Sequence, residues 1–190
     1  MLFALAAITT ACASMAMPSK PIRLTKFFFD SDRVQFDGWF VDDERHGEGT
    51  EYYDDGKVKF KGLYVHGVPS EGSWYDRDGR ITFHGAFRGG VPANGTQYTY
   101  YKGDNILSFV GLVDDNGERN GPGKQWDRKG RLTFEGTFDD GNEVSGTKSE
   151  FHGDTDQLRR TGAYRHGNFH GTVREYYDHG GHRFDGRYSH

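Results

Sequence analysis

An aromatic residue standing two positions ahead of a glycine returns along this chain at a nearly fixed interval. The copies are Phe36-Asp-Gly38, Phe60-Lys-Gly62, Phe83-His-Gly85, Phe109-Val-Gly111, Phe134-Glu-Gly136 and Phe184-Asp-Gly186, separated by 24, 23, 26, 25 and 50 residues. The last interval holds two periods, with Thr161-Gly162 in "RRTGAYRHG" as a degenerate copy lacking the lead ring. A period of this length belongs to repeat architectures, in which one copy cannot bury its apolar side and needs its neighbours to do so.

Around each anchor the chain alternates with period two, the signature of a strand. Val58, Phe60, Gly62 and Tyr64 share one side, while Lys57, Lys59, Lys61 and Leu63 share the other. The same division recurs around Phe83 and Phe134. Glycine weakens a strand interior, so its recurrence requires a reason. The expected one is steric: the missing side chain leaves a slot for a ring from the adjoining strand or repeat. A second, shorter strand follows each anchor, ending at Tyr52, Tyr75, Trp126 or Tyr176, four residues before a turn glycine. Asp55-Gly56 and Asp78-Gly79 read as two-residue hairpin turns. Since a lone hairpin is marginal in water, the expectation is an all-β fold: an elongated, twisted antiparallel β-sheet array of stacked hairpins.

Composition agrees. Only 34% of residues are apolar, yet 15% are aromatic and 28 are glycine, as suits short strands joined by tight turns. A net charge of −4 with interspersed signs gives no footprint for nucleic acid. The single cysteine, Cys12, precludes an internal disulfide. It lies in an apolar leader, residues 1–21, too short to span a bilayer but suited to a secretory signal. Four readings stay open: a cleaved signal, a lipoprotein signal with Cys12 lipidated, an unstructured leader, or translation starting at Met15 or Met17. The location is envelope-associated if the leader is a true signal and cytoplasmic otherwise, with membrane contact expected only through this leader.

Residues 22–190 read as one array, an N-terminal half-repeat cap followed by about six repeats. The last is incomplete, so Phe184, Arg187 and Tyr188 lie on an unpaired edge, which predicts a homodimer through that edge. His46, His66 and His166 each precede a glycine and read as turn residues. The denser group His166, His170, His179, His182 and His190 has no paired carboxylate or thiol, so no metal site is assigned. Most carboxylates sit in turns, the glycines are spread by period instead of gathered in a phosphate loop, and no nucleophile has a recognisable setting. No catalytic residue and no cofactor are expected. What remains is surface: Trp39, Tyr53, Trp74 and Tyr177, with Leu63, Leu112 and Val110, form the candidate partner-binding face.

The phrase Phe36-Asp-Gly38-Trp39-Phe40, followed by His46-Gly47-Glu-Gly49 and Tyr52 to Gly56, resembles the MORN repeat, in particular the variant repeats of antitoxin-like bacterial proteins. The resemblance covers about residues 28–188. It implies a sheet-forming scaffold that dimerises and binds a protein partner and is not itself a catalyst. An exported surface lipoprotein and an antitoxin-like inhibitor of a partner enzyme are its alternatives. The chain departs from the family pattern where the repeats from Phe83 and Phe134 carry extra residues and where Ser149 stands in place of an aromatic.

Overall fold

In a computed structural model, which describes residues 20–189, every regular element is a strand. The strands are β1 (Ile22–Phe27), β2 (Val34–Val41), β3 (Glu44–Tyr52), β4 (Val58–Val65), β5 (Val68–Tyr75), β6 (Ile81–Arg88) and β7 (Val91–Tyr100). They continue as β8 (Leu107–Val113), β9 (Arg119–Trp126), β10 (Leu132–Asp139), β11 (Asn142–Phe151), β12 (Leu158–Arg165), β13 (Asn168–Tyr176) and β14 (His182–Tyr188). Each pairs antiparallel with its neighbours in the chain, so the order across the single open sheet is the order of the sequence. The leader, Cys12 and His190 lie outside the described residues. Among the described residues no helix is long and apolar enough to cross a membrane.

The even strands from β2 to β14 carry the repeated phrase, and the odd strands from β3 to β11 supply a second glycine opposite the first, a place held in β13 by Val173. Gly38, Gly49, Gly62, Gly72, Gly85 and Gly95 pair in succession across β2 to β7. Across each pair lies a ring. The Cζ of Phe36 stands 2.7 Å from where a Cβ would sit on Gly38 and 2.4 Å from one on Gly49. Phe60 lies over Gly62 and Gly72 in the same way, and Phe83 over Gly85 and Gly95. The slot expected from the sequence exists, but its occupant differs: the lead ring of the same strand folds across its own glycine and the neighbour's. Leaning over a bare backbone is what lets a residue meet the ring four positions on. Extended strand would separate their Cα atoms by about 13 Å, yet the rings of Phe36 and Phe40 are 5.3 Å apart and perpendicular.

These edge-to-face contacts form a zigzag from strand to strand. Phe40 meets Phe36, which meets Tyr64; Tyr64 meets Phe60, which meets Phe87, which meets Phe83. A second run joins Phe109, Phe138, Phe134, Tyr164 and Phe169. Such perpendicular pairs add about 0.5–1.5 kcal/mol each to the area they bury. Between the runs the ring at the end of the phrase is replaced by Val113, which packs with the first cluster while Phe109 of the same strand belongs to the second.

The extra residues of the irregular repeats account for this break. β7 and β11 are 10 residues long, with five residues beyond Gly95 and Gly146, where β5 has three beyond Gly72. The register accordingly slips by two: Gly95 faces Val113 and Gln97 faces Gly111, and likewise Gly146 faces Tyr164 and Lys148 faces Gly162. The slip also explains Ser149. The aromatic that closes an odd strand has moved to Phe151, which pairs with Leu158 just as Tyr75 pairs with Ile81. In the copy without a lead ring, Arg160 takes that place, and Val173 and Phe169 from β13 fill the core instead.

Turn types are redistributed relative to the sequence reading. Asp55-Gly56 and Asp78-Gly79 are not two-residue turns; only the glycine has positive φ, and each closes a five-residue loop in which its N–H bonds the carbonyl three residues back. The two-residue turns are His66-Gly67, Gly89-Gly90, Asp140-Gly141, His166-Gly167 and Asp42-Asp43, with both residues at positive φ. His66 and His166 are thus turn residues as expected, whereas His46 lies within β3.

A Gly62→Ala methyl would fall 2.1 Å from the Glu71 carbonyl oxygen, whereas Gly56 has open space around it. Gly62→Ala is expected to cost about 3 kcal/mol by overpacking, and Gly56→Ala about 1–2 kcal/mol for its left-handed backbone. Urea denaturation of both variants checks the ranking.

Candidate functional site

The sheet presents an inner face, an outer face, a margin of long loops and two end strands. On the inner face the rings are roofed by long side chains from odd strands and, in β12, by Arg160. The Arg45 guanidinium lies 4.5 Å from the Phe36 ring and pairs with Glu51 at 3.3 Å, and Glu51 accepts from the Tyr64 hydroxyl and binds Lys59 at 3.1 Å. Arg119 covers Phe109, Lys148 covers Tyr164 and Arg160 covers Phe169. Lys148 is held by Glu143 at 2.6 Å, and Arg160 makes a two-bond fork with Glu150. Burial and the nearby Glu51 carboxylate push the Tyr64 hydroxyl well above its usual range. Composition gave no sign of these cations over rings. The signal was parity, since Arg45 and Glu51, six apart in one odd strand, fall opposite Phe40 and Phe36.

The long loops that follow the odd strands share one margin and are laced to one another at about the repeat interval, whereas the five-residue loop 114–118, between β8 and β9, lies on the other margin. The hydroxyls of Tyr53 and Tyr101 donate to the carbonyls of Tyr75 and Trp126, and the His152 ring contacts the Tyr176 carbonyl. Loops opening on Asp use arginine: Arg80 donates to the Asp104 carbonyl, and Arg131 to that of Thr155. Inside these loops one carboxylate organises the turn. Asp76 accepts from the N–H groups of Asp78 and Arg80 and from the Arg80 guanidinium, and Asp127 does the same with Lys129 and Arg131. Burial alone would raise both carboxyls, but the arginine and the turn N–H groups outweigh it and hold them below their usual value. Arg160 first of all does the same for Glu150 against its own burial.

The surface residues predicted from sequence do not form one face. Trp39 and Leu63, each 40% exposed, and Leu112, 42% exposed, are on the outer face with Val110. Trp74 is not on it. It faces Phe60 and Phe83 in register and packs edge-to-face on Phe87, so it belongs to the inner core; the parity count went astray because β5 shifts register beside Tyr64 and again at Tyr75. Tyr53 and Tyr177 are loop residues, Tyr53 under Arg77 and Tyr177 stacked on His179. On the outer face the bare glycine backbone floors two grooves. One of about 550 Å³ runs between Asp37, Thr50 and Lys61 on one side and Trp39, Glu48 and Leu63 on the other. The second, about 510 Å³, runs between Val110, Lys124 and Glu135 and the row of Leu112, Pro122 and Thr137.

The two end strands pair on one side only. β1 pairs with β2, and all six of its residues are exposed, including Ile22, Leu24 and Phe27. At the other end β14 pairs with β13, placing Phe184, Arg187 and Tyr188 opposite Glu175, Thr172 and Gly171. Phe184 is 41% exposed, and the Tyr188 hydroxyl donates to Glu175. Among the described residues no group of three or more His, Cys, Asp or Glu is gathered as metal ligands. His46 and His66 approach each other at 6.0 Å between ring centres, with Glu44 3.4 Å from His66.

No family model matches the chain, and no curated protein matches it.

Because the folded-state pKa values of Asp76 and Asp127 lie below the ordinary carboxylate value of about 3.9, their contribution to stability is complete above that value. It is lost as pH falls through the depressed pKa. The Asp76→Asn, Asp127→Asn double variant is therefore expected to melt lower at neutral pH and to lose less melting temperature on acidification. Calorimetric melts at stepped pH check this.

Proposed function

We propose that the chain is a non-catalytic repeat scaffold for protein–protein interaction, as its likeness to MORN repeats implies, and that it forms a homodimer through the edge of β14. The observation that carries the reading is the outer face. Trp39, Leu63 and Leu112 stand partly exposed on the walls of grooves whose floor is glycine backbone. Apolar anchors beside exposed backbone suit the burial of a partner's side chains. Tyr53, Trp74 and Tyr177 leave this partner face, Trp74 because it supports the core. A binding role, in preference to a catalytic one, is supported by the carboxylates of Asp76 and Asp127, which are occupied by turn N–H groups and arginines. Dimerisation is supported by the unpaired edge of β14 with its exposed Phe184.

A Trp39→Ala, Leu63→Ala double variant is expected to keep its fold and lose capture of the partner in affinity isolation from native cells. Trp74→Ala is expected to destabilise by about 3 kcal/mol through the cavity it leaves. Unfolding of the double variant, followed by circular dichroism, would assign those side chains to structure.

Light scattering at micromolar concentration should give twice the chain mass, and Phe184→Lys should return it to one. A wild-type monomer across the accessible range removes the dimer.

A further inference from the structure

On the inner face β9 repeats the arrangement of β3 with one change. In β3, Arg45 stands opposite Phe40 and Glu51 opposite Phe36, and the two close on each other as an ion pair at 3.3 Å. In β9, Arg119 stands opposite Val113 and residue 125 opposite Phe109, but residue 125 is glutamine. The Gln125 amide, oriented by its surroundings, accepts from Arg119 at 2.8 Å and donates to Glu143 at 2.7 Å. Glu143 is held by Lys148 at 2.6 Å, and Asp127 by Arg131 at 2.6 Å. Among the described residues Arg119 therefore has a ring beneath it and an amide beside it, with no carboxylate at ion-pair distance. Burial pushes its guanidinium below the usual value, and no opposite charge offsets that cost.

Beside Arg119 is a cavity of about 330 Å³, lined also by Tyr101, Ser108, Gln125, Trp126, Thr133 and Asp127, whose carboxylate is held by Arg131. Arg119 has five N–H donors, and one bond to Gln125 leaves most of them free. The Ser108 hydroxyl, which shares a 2.9 Å contact with that of Thr99, also faces the cavity. We propose that this cavity binds a carboxylate side chain of an acidic peptide segment from a partner protein, Arg119 making with it the pair that Glu51 makes with Arg45. The Arg45–Glu51 pair shows that a guanidinium over a lead ring takes a carboxylate partner; in β9 Gln125 holds the place of Glu51, so the guest carboxylate meets the remaining N–H groups of Arg119 beside it. A carboxylate also matches a single uncompensated guanidinium, whereas a phosphate of charge about −1.5 to −2 would face Glu143 and Asp127 with one arginine to balance it. The volume holds one acidic side chain, with the rest of the peptide outside.

This deepens the scaffold reading and rests on it, but the edge of β14 takes no part, so a failure of dimerisation would leave it standing. The test is fluorescence anisotropy with a labelled hexaglutamate peptide and the full chain at low salt. The net charge of −4 opposes non-specific capture of such a peptide. Wild type should bind. Arg119→Gln should weaken binding about tenfold, equivalent to 1.4 kcal/mol, and Gln125→Glu by as much, because it installs the internal partner seen in β3. Lys57→Gln, on a loop of the other half, should change nothing. Gln125→Glu loses the bond that Gln125 donates to Glu143 and brings two carboxylates together, so circular dichroism checks that it folds; once folded, it decides the matter even if Arg119→Gln fails to fold. Absence of wild-type binding, unchanged affinity in Gln125→Glu, or tighter binding of a phosphoserine peptide of equal length would overturn the proposal.

Discussion

A phenyl ring lying flat over two paired glycines is the contact on which the rest of this protein depends. A single sheet has no second layer to bury its apolar side, so the rings must find shelter within the sheet itself. Removing two Cβ atoms lets Phe36 descend onto the backbone of Gly38 and Gly49, and reaching Phe40 then closes it in from the side. Full burial follows for Phe36, Phe60, Phe109 and Phe134 without a covering layer. Side chains of Arg, Lys and Glu supply the roof, their stems against the rings and their charges paired above.

From that contact the remaining features follow in order. Each ring needs a glycine on its own strand and one on the next, which fixes the register across β2 to β7. A fixed register places the loops that follow the odd strands on one margin at a nearly constant spacing. There Tyr53, Arg80, Tyr101 and Arg131 each reach the backbone of the following loop. The loops thus lock neighbouring hairpins from outside while the rings lock them from within. On the opposite face the alternation of side chains leaves the backbone of the inward-facing glycines as the floor of the groove beside Trp39.

Much of this was legible beforehand. The strand class, the inward set around Phe60, and the need for neighbouring copies all rest on period-two alternation and on a recurring aromatic-x-Gly, signals that survive without knowledge of contacts. Five things were not legible. Which ring fills the glycine slot depends on strand bending, which spacing does not encode. Asp-Gly at residues 55–56 has the chemistry of a tight turn, but Tyr53 and Lys57 close a wider loop around it, while the tight turns fall at His66-Gly67 and His166-Gly167. Trp74 changed face because odd strands contain irregular pairings that upset a parity count. Ser149, read as a lost aromatic, is the trace of a lengthened strand. The cations over the rings escaped notice because an arginine in a strand reads as a solvated side chain until its register partner is known.

The two register slips give the array a geometry that uniform repeats would lack. A slip of two residues displaces the line of paired glycines along the strands by roughly 7 Å, once between β7 and β8 and again between β11 and β12. The trough on the outer surface is therefore a staircase. A straight rod seated across the first flight would ride up onto side chains at the landing, so continuous occupancy requires an occupant that can jog sideways, or separate ones on each tread. Length in this protein is counted in treads.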